Sequence, residues 1–297
     1  MSGEVVMKQR IISAVIGLSV LAVALYRFDT VYFNIAAGVV FLIASYEVYN
    51  AFREGNSKIG MAAVALFGVV ILNQQYIGYI NGKLFVIFFM TCYAMCCVFG
   101  FHKINVKAFS ASVLYAVYVL LGFYAILDIK ADMPYAFFGY DAVYLFILCC
   151  IIAWCCDIFA YFSGYFFGKH KMSPTLSPKK TVEGAVGGVI GAVLCACLSL
   201  YLYSILKPVL EGTGLSYGVA ASSYIKMAVV AVFGALLGMV GDLFASAVKR
   251  QTGIKDYGNI MPGHGGVIDR FDSVLLLAPY IWRLSDFVAA RGGIFHV

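Results

Sequence analysis

Runs of about 20 apolar residues recur from one end of this chain to the other, and that recurrence limits the possible folds more than any motif does. A run of that length crosses the hydrocarbon core of a bilayer as a helix. Backbone polar groups in lipid must be satisfied within helices or closed barrels. Nine such stretches are recognised, near 10–27, 30–48, 60–79, 84–101, 108–128, 141–167, 184–206, 223–248 and 272–290. The third is the weakest, because Asn73, Gln74 and Gln75 interrupt it. With 63% hydrophobic residues and only 12% charged ones, the chain could not cover a water-facing surface with polar groups. The expected fold is an all-α polytopic bundle of about nine transmembrane helices in one membrane domain, 1–297, with 1–130 as scaffold and 141–290 carrying the chemistry. No period of 20 to 50 residues repeats, which excludes a solenoid or an array.

Basic residues stay on the cytoplasmic side of short loops, so their distribution predicts orientation. With the N-terminus inside, the inner segments hold Lys8, Arg10, Arg53, Lys58, Lys103, Lys107, Lys169, Lys171, Lys179, Lys180, Lys249, Arg250, Lys255 and Arg270. The outer segments hold Arg27, Lys83, Lys130, Lys207 and Arg291, while Lys226 and Arg283 lie within or at the ends of spans. The two longest motif-bearing loops then face the cytosol, where soluble nucleotides are available. The first stretch, after Lys8 and Arg10, also has the pattern of a cleaved signal peptide, an alternative to a first span. All nine cysteines fall inside predicted spans without CxxC spacing, and are read as small apolar packing residues rather than metal or redox groups.

Chemistry concentrates in the last four spans. The sixth carries Asp157 about three helical turns, roughly 18 Å, from Lys169. Tyr161, Gly164 and Gly168 follow it at spacings of four, three and four, so acid, phenol and glycines share one face. Such an acid is either hydrogen-bonded to a neighbouring helix or turned toward a water-filled cavity. In the next loop, Pro174 and Pro178 forbid a regular helix. Ser173, Ser177 and Thr181 offer hydroxyls there, and Lys179 and Lys180 offer charge. Thr181 is an expected N-cap for the seventh span, and a helix start with free amides beside two lysines suits a phosphate. Positive-inside bias with an ordinary cap is the plainer alternative. Gly184, Gly187, Gly188 and Gly191 form one stripe suited to close helix packing.

The eighth span places Asp242 about two turns before Lys249, with Ser246 between them and Arg250 after. Lys255 and Asp256 come next. Pro262, Gly263, Gly265 and Gly266 then bend the chain around His264 and deliver Asp269, Arg270 and Asp272 to the ninth span. A salt-bridge network could account for such alternation. So could a divalent cation held by carboxylates and substrate phosphates, with Lys and Arg neutralising the remaining oxygens. Carboxylates without a Cys/His cluster favour Mg²⁺ over Zn²⁺. Residue types alone stop at phosphate chemistry on a substrate anchored in the bilayer.

The segment from Ser246 to Asp272 resembles the signature of the phosphatidate cytidylyltransferase (CDP-diacylglycerol synthase) family. The matching residues are Ser246, Lys249, Arg250, Lys255, Asp256, His264, Gly265, Gly266, Asp269, Arg270 and Asp272. The resemblance extends to Asp157, Ala160, Tyr161, Gly164, Phe167, Gly168 and the SPKKTVEG stretch, whereas the first half matches only in hydrophobicity. One departure is Ala245, where the family usually has Glu. The resemblance implies transfer of the cytidylyl group of CTP to phosphatidic acid, giving CDP-diacylglycerol and pyrophosphate. It implies Asp242, Asp269 and Asp272 for metal, with Asp242, Asp269, Lys249 and Arg250 catalytic. Ser177, Lys179, Lys180, Thr181, Lys255, His264, Arg270, Asp157 and Tyr161 would bind substrate. Mg²⁺ is the implied cofactor, with K⁺ beside it. The partners are CTP, phosphatidic acid and membrane lipid, with no nucleic acid; a homodimer is permitted by the glycines of the eighth span. The implied location is a bacterial inner membrane with the active loops facing the cytoplasm. A CTP-dependent lipid kinase, an isoprenoid-lipid cytidylyltransferase and, in another class, a membrane transporter are the rival readings.

Overall fold

The computed structural model describes residues 15–17, 19–78, 82–213, 218–260 and 265–294. Its elements are helices α1 (Val31–Ala51), α2 (Lys58–Leu72), α3 (Gly82–Phe99), α4 (Val106–Asp132), α5 (Asp141–Phe167), α6 (Val182–Glu211), α7 (Ala221–Gln251) and α8 (Ile268–Ala289). Between α5 and α6 lies a hairpin of two short strands, β1 (Lys171–Ser173) and β2 (Ser177–Thr181). Each apolar stretch from 30 onward except the third coincides with one helix; the first, 10–27, lies partly outside the described residues. Helices α1, α4, α5, α6 and α7 are long and apolar enough to cross a membrane. On α6, Val186, Ile190, Leu194 and Leu198 recur every four residues and all are exposed, as a face turned to lipid would be.

The third stretch departs from the uniform span expected for it. Helix α2 ends at Leu72 and only a helical turn, Gln74–Ile77, continues it. Its polar residues hold other backbone instead: Asn73 donates to the Val69 carbonyl at 2.8 Å and Gln75 to the Leu127 carbonyl at 3.2 Å. The loop after α5 departs too, forming an antiparallel hairpin that pairs Lys171 with Thr181 and Ser173 with Ser177. Its prolines fit because Pro174 lies in the turn between the strands and Pro178 in a strand of a two-stranded sheet, where few ladder bonds are lost.

The molecule forms two compact units, Met1–Leu127 with Val248–Phe271, and Asp128–Ala247 with Asp272–Val297. In the first, Phe41 is fully buried. It meets Phe123 edge-on at 6.2 Å and fills the space a side chain at Gly68 would take. Ser57 caps α2 by accepting from the Gly60 amide at 3.0 Å. In the second, the predicted glycine stripe lies against α5. A Cβ at Gly184 would come within 2.8 Å of the Ala160 carbonyl, and one at Gly188 within 2.8 Å of the Cys156 carbonyl. That unit also buries an ion pair, Lys207 with Asp141 at 2.7 Å. Asp141 further accepts from the Tyr203 hydroxyl at 2.6 Å and the Ile294 amide at 3.1 Å.

Candidate active site

The hairpin is tied to the start of α6 by Glu183. Its carboxylate accepts from the backbone amides of Lys169 at 3.1 Å and His170 at 3.2 Å, and from His170 Nδ1 at 2.6 Å. Thr181 closes the hairpin and caps α6, its hydroxyl accepting from the Gly184 amide at 3.1 Å. An acid in the first turn and a capped N-terminus are both favourable there. The construction holds Ser177, Lys179 and Lys180 over the end of α5.

These residues line a cavity of about 630 Å³ together with Thr181, Asp157 and Tyr161 of α5, and Asp242 of α7. Lys180 forms an ion pair with Asp242, both side chains only partly exposed. Ser246 donates to the other Asp242 oxygen at 3.4 Å. Asp157, which accepts from the Ser273 hydroxyl at 3.3 Å, is exposed toward the cavity rather than sealed in the bundle. One wall is therefore cationic and hydroxylic, another carries two carboxylates. The remainder, including Tyr161, Tyr165 and Met239, is apolar or aromatic. Such a mixture can take a phosphate group and a hydrocarbon chain at once.

In the first unit the signature builds a second cluster around Asp269, at the start of α8. Its Oδ1 accepts from Lys249 Nζ at 2.8 Å. Its Oδ2 accepts from the backbone amides of Tyr257 at 2.8 Å and Gly266 at 3.0 Å. The side chain is 4% exposed. The Lys249 ammonium also lies over the Tyr257 ring, 5.5 Å from its centroid, and that ring stacks on Tyr115 at 5.6 Å. Gly265 has φ +85°, and a Cβ there would come within 2.9 Å of an Asp269 oxygen. A glycine is required on both counts.

Arg250, Lys255 and Arg270 are exposed. Asp272 accepts the amide of Ser273 at 2.8 Å, and its backbone carbonyl runs close under Gly241 of α7. His264 lies outside the described residues.

Glu47 of α1 is a residue the sequence reading did not single out. Its carboxylate accepts from the backbone amides of Val267 at 2.8 Å and Ile268 at 3.0 Å, satisfying free donors at the start of α8. It is 2% exposed, and Gly258 and Gly266 leave the room it occupies. An acid next to the end of a long apolar run, followed by Asn50 and Arg53, looks like an interfacial residue in the sequence. The only available signal was its isolation: it is the one acid of the second apolar stretch.

Comparison with known proteins gives the family of the chain. Residues 8–288 match the family model described as Cytidylyltransferase family. The chain belongs to the cytidylyltransferase family. Its relatives include proteins named phosphatidate cytidylyltransferase from Bacillus subtilis, 29% identical over 94% of this chain and 97% of the relative, and from Haemophilus influenzae, 29% identical over 95% and 99%. One from Rickettsia bellii is 40% identical over 48% of this chain and 58% of the relative. Family membership covers the first half as well as the signature, although hydrophobicity was the only likeness visible there. In this cytidylyltransferase, the first half contributes Glu47 to the segment that carries Asp269.

Proposed function

We propose that this cytidylyltransferase transfers the cytidylyl group of CTP to phosphatidic acid. A phosphate oxygen of the lipid bonds to the α-phosphorus of CTP, the bond from that phosphorus to the bridging oxygen breaks, and pyrophosphate leaves as CDP-diacylglycerol forms. The observation that carries the reading is the cavity where Lys179, Lys180 and the Thr181-capped helix start meet Asp242 and Asp157 beside apolar walls. The names of the relatives support the same substrates.

No general base is needed, because a phosphomonoester is already ionised near neutral pH. The residues hold two anions together and stabilise charge on the leaving oxygens. Lys179, Lys180, Lys249, Arg250 and Arg270 are assigned to phosphate oxygens, and His264 and Lys255 to substrate binding. Ser177 and Thr181 supply hydroxyls, and Asp157 and Tyr161 form the cavity wall.

The donor set fits Mg²⁺. Asp242 and Asp269 offer hard oxygens, and each already faces an ammonium group, so both positions accept a cation. Among the described residues no three His, Cys, Asp or Glu side chains form a ready cage. Mg²⁺ takes one or two carboxylates and completes its shell with water and substrate phosphates. Of Asp242, Asp269 and Asp272, the acids that the family resemblance assigns to metal, one or two would hold the ion, which when bound supplies Lewis-acid stabilisation of the phosphate oxygens. K⁺ belongs to the same proposal. The nine-span topology with the N-terminus, hairpin and signature loop on the cytoplasmic side is also proposed, supported by the Lys/Arg distribution.

The deciding experiment supplies purified protein with phosphatidic acid, CTP labelled in its cytosine, and Mg²⁺, with and without K⁺. Label should enter the lipid with equimolar pyrophosphate. Label confined to soluble CDP, with one phosphate added to the lipid, would show a kinase instead. In Asp269→Asn turnover should fall by about 10²-fold or more, the scale of losing a preorganised charge; unchanged turnover refutes its role.

A further inference from the structure

Two cations at the other end of the second unit have no part in this chemistry. Lys226 lies in the first turns of α7, 16 residues before Asp242, which is about 24 Å along the helix. Arg291 follows the end of α8. Both are exposed, and among the described residues neither pairs with a carboxylate. Lys207, in the same unit, is instead neutralised by Asp141 and approached by Glu211.

Lys226 and Arg291 line one groove of about 470 Å³, within the range of ligand pockets, whose walls include Leu148, Leu200, Val230 and Phe287 from four successive helices. Arg291 is laid over the Phe287 ring at 4.2 Å, which keeps its guanidinium at the rim. Hydrocarbon walls ending in two uncompensated positive charges match a molecule with an acyl chain and an anionic headgroup. A free nucleotide or phosphate would leave the walls unfilled, and a neutral lipid would leave the cations unpaired.

We propose that this groove binds an anionic glycerophospholipid, one acyl chain between α5, α6, α7 and α8 and the phosphate between Lys226 and Arg291. The distance along α7 separates it from the cavity at Asp242, so it is a second lipid site, and it stands whether or not the transfer reaction does.

The test uses the full chain, delipidated in neutral detergent and examined by native mass spectrometry with dioleoyl phosphatidylglycerol or dioleoyl phosphatidylcholine. Two basic groups near a membrane surface predict a preference of about 30-fold for the anionic lipid. The preference should vanish in Lys226→Ala/Arg291→Ala and persist in Arg283→Ala. Val230→Trp, which fills the groove and keeps both cations, should lower retention of either lipid, and it provides an independent reading if the double variant does not fold. Equal retention of the two lipids by the parent protein overturns the proposal, as does undiminished retention in Val230→Trp. Displacement of the bound lipid by sn-glycerol 3-phosphate alone would show a bare phosphate site and overturn it as well.

Discussion

Asp242 and Asp269 each face a lysine, but their environments differ, and so do the expected consequences of altering them. Asp242 has Lys180 and one hydroxyl for company on the wall of a cavity. Asp269 is almost fully enclosed and also organises backbone, receiving two amides besides Lys249. Asp242→Asn is therefore expected to abolish turnover with little change in thermal unfolding. Asp269→Asn should lose turnover and stability together, because an amide group cannot accept at every position the carboxylate does. Parallel activity and melting measurements on the two variants check this. Glu47→Ala strands two amides in an apolar setting, a loss of about 1–3 kcal/mol. Hydrogen exchange should accelerate at Val267 and Ile268; unchanged exchange at those amides would remove Glu47 from any part in holding the start of α8. Lys180→Met should raise the KM for CTP and lower kcat, with partial recovery in Lys180→Arg.

At the scale of elements, the hairpin and the glycine stripe decide where the phosphate-binding groups stand. Gly184 and Gly188 let α6 approach the carbonyls of Ala160 and Cys156, which brings Lys179 and Lys180 over the face of α5 that carries Asp157 and Tyr161. Gly188→Val has no room for its added atoms against backbone. Overpacking of that kind costs about 1–3 kcal/mol, so the variant should melt earlier and bind CTP less well, while Gly212→Ala, where a Cβ meets nothing, should affect only the strained turn at φ +64° and leave CTP binding intact. Thr181→Val removes the cap on α6 and is expected to cost about 0.5–2 kcal/mol, read as a lower unfolding midpoint.

At the scale of the whole molecule, the proposed topology predicts that a protease site inserted after Pro174 is cut in inside-out vesicles and protected in intact cells; cleavage from the outer side would overturn the assigned orientation. The helices were legible in the sequence because hydrophobic length is a local property: each apolar run either reaches bilayer thickness or does not, and the α5 boundaries at 141–167 follow from that alone. The signature residues were legible because charges are costly in lipid and stand out against an apolar background. The hairpin was not, since two prolines exclude a helix without saying what replaces it, and strand pairing depends on Glu183 reaching back to the amides of Lys169 and His170. The pairing of Lys180 with Asp242, 62 residues apart, and of Glu47 with amides more than 200 residues away, was decided only by the tertiary structure. Ion pairs and helix caps form between whichever elements packing brings together, and no local pattern in either partner records the other.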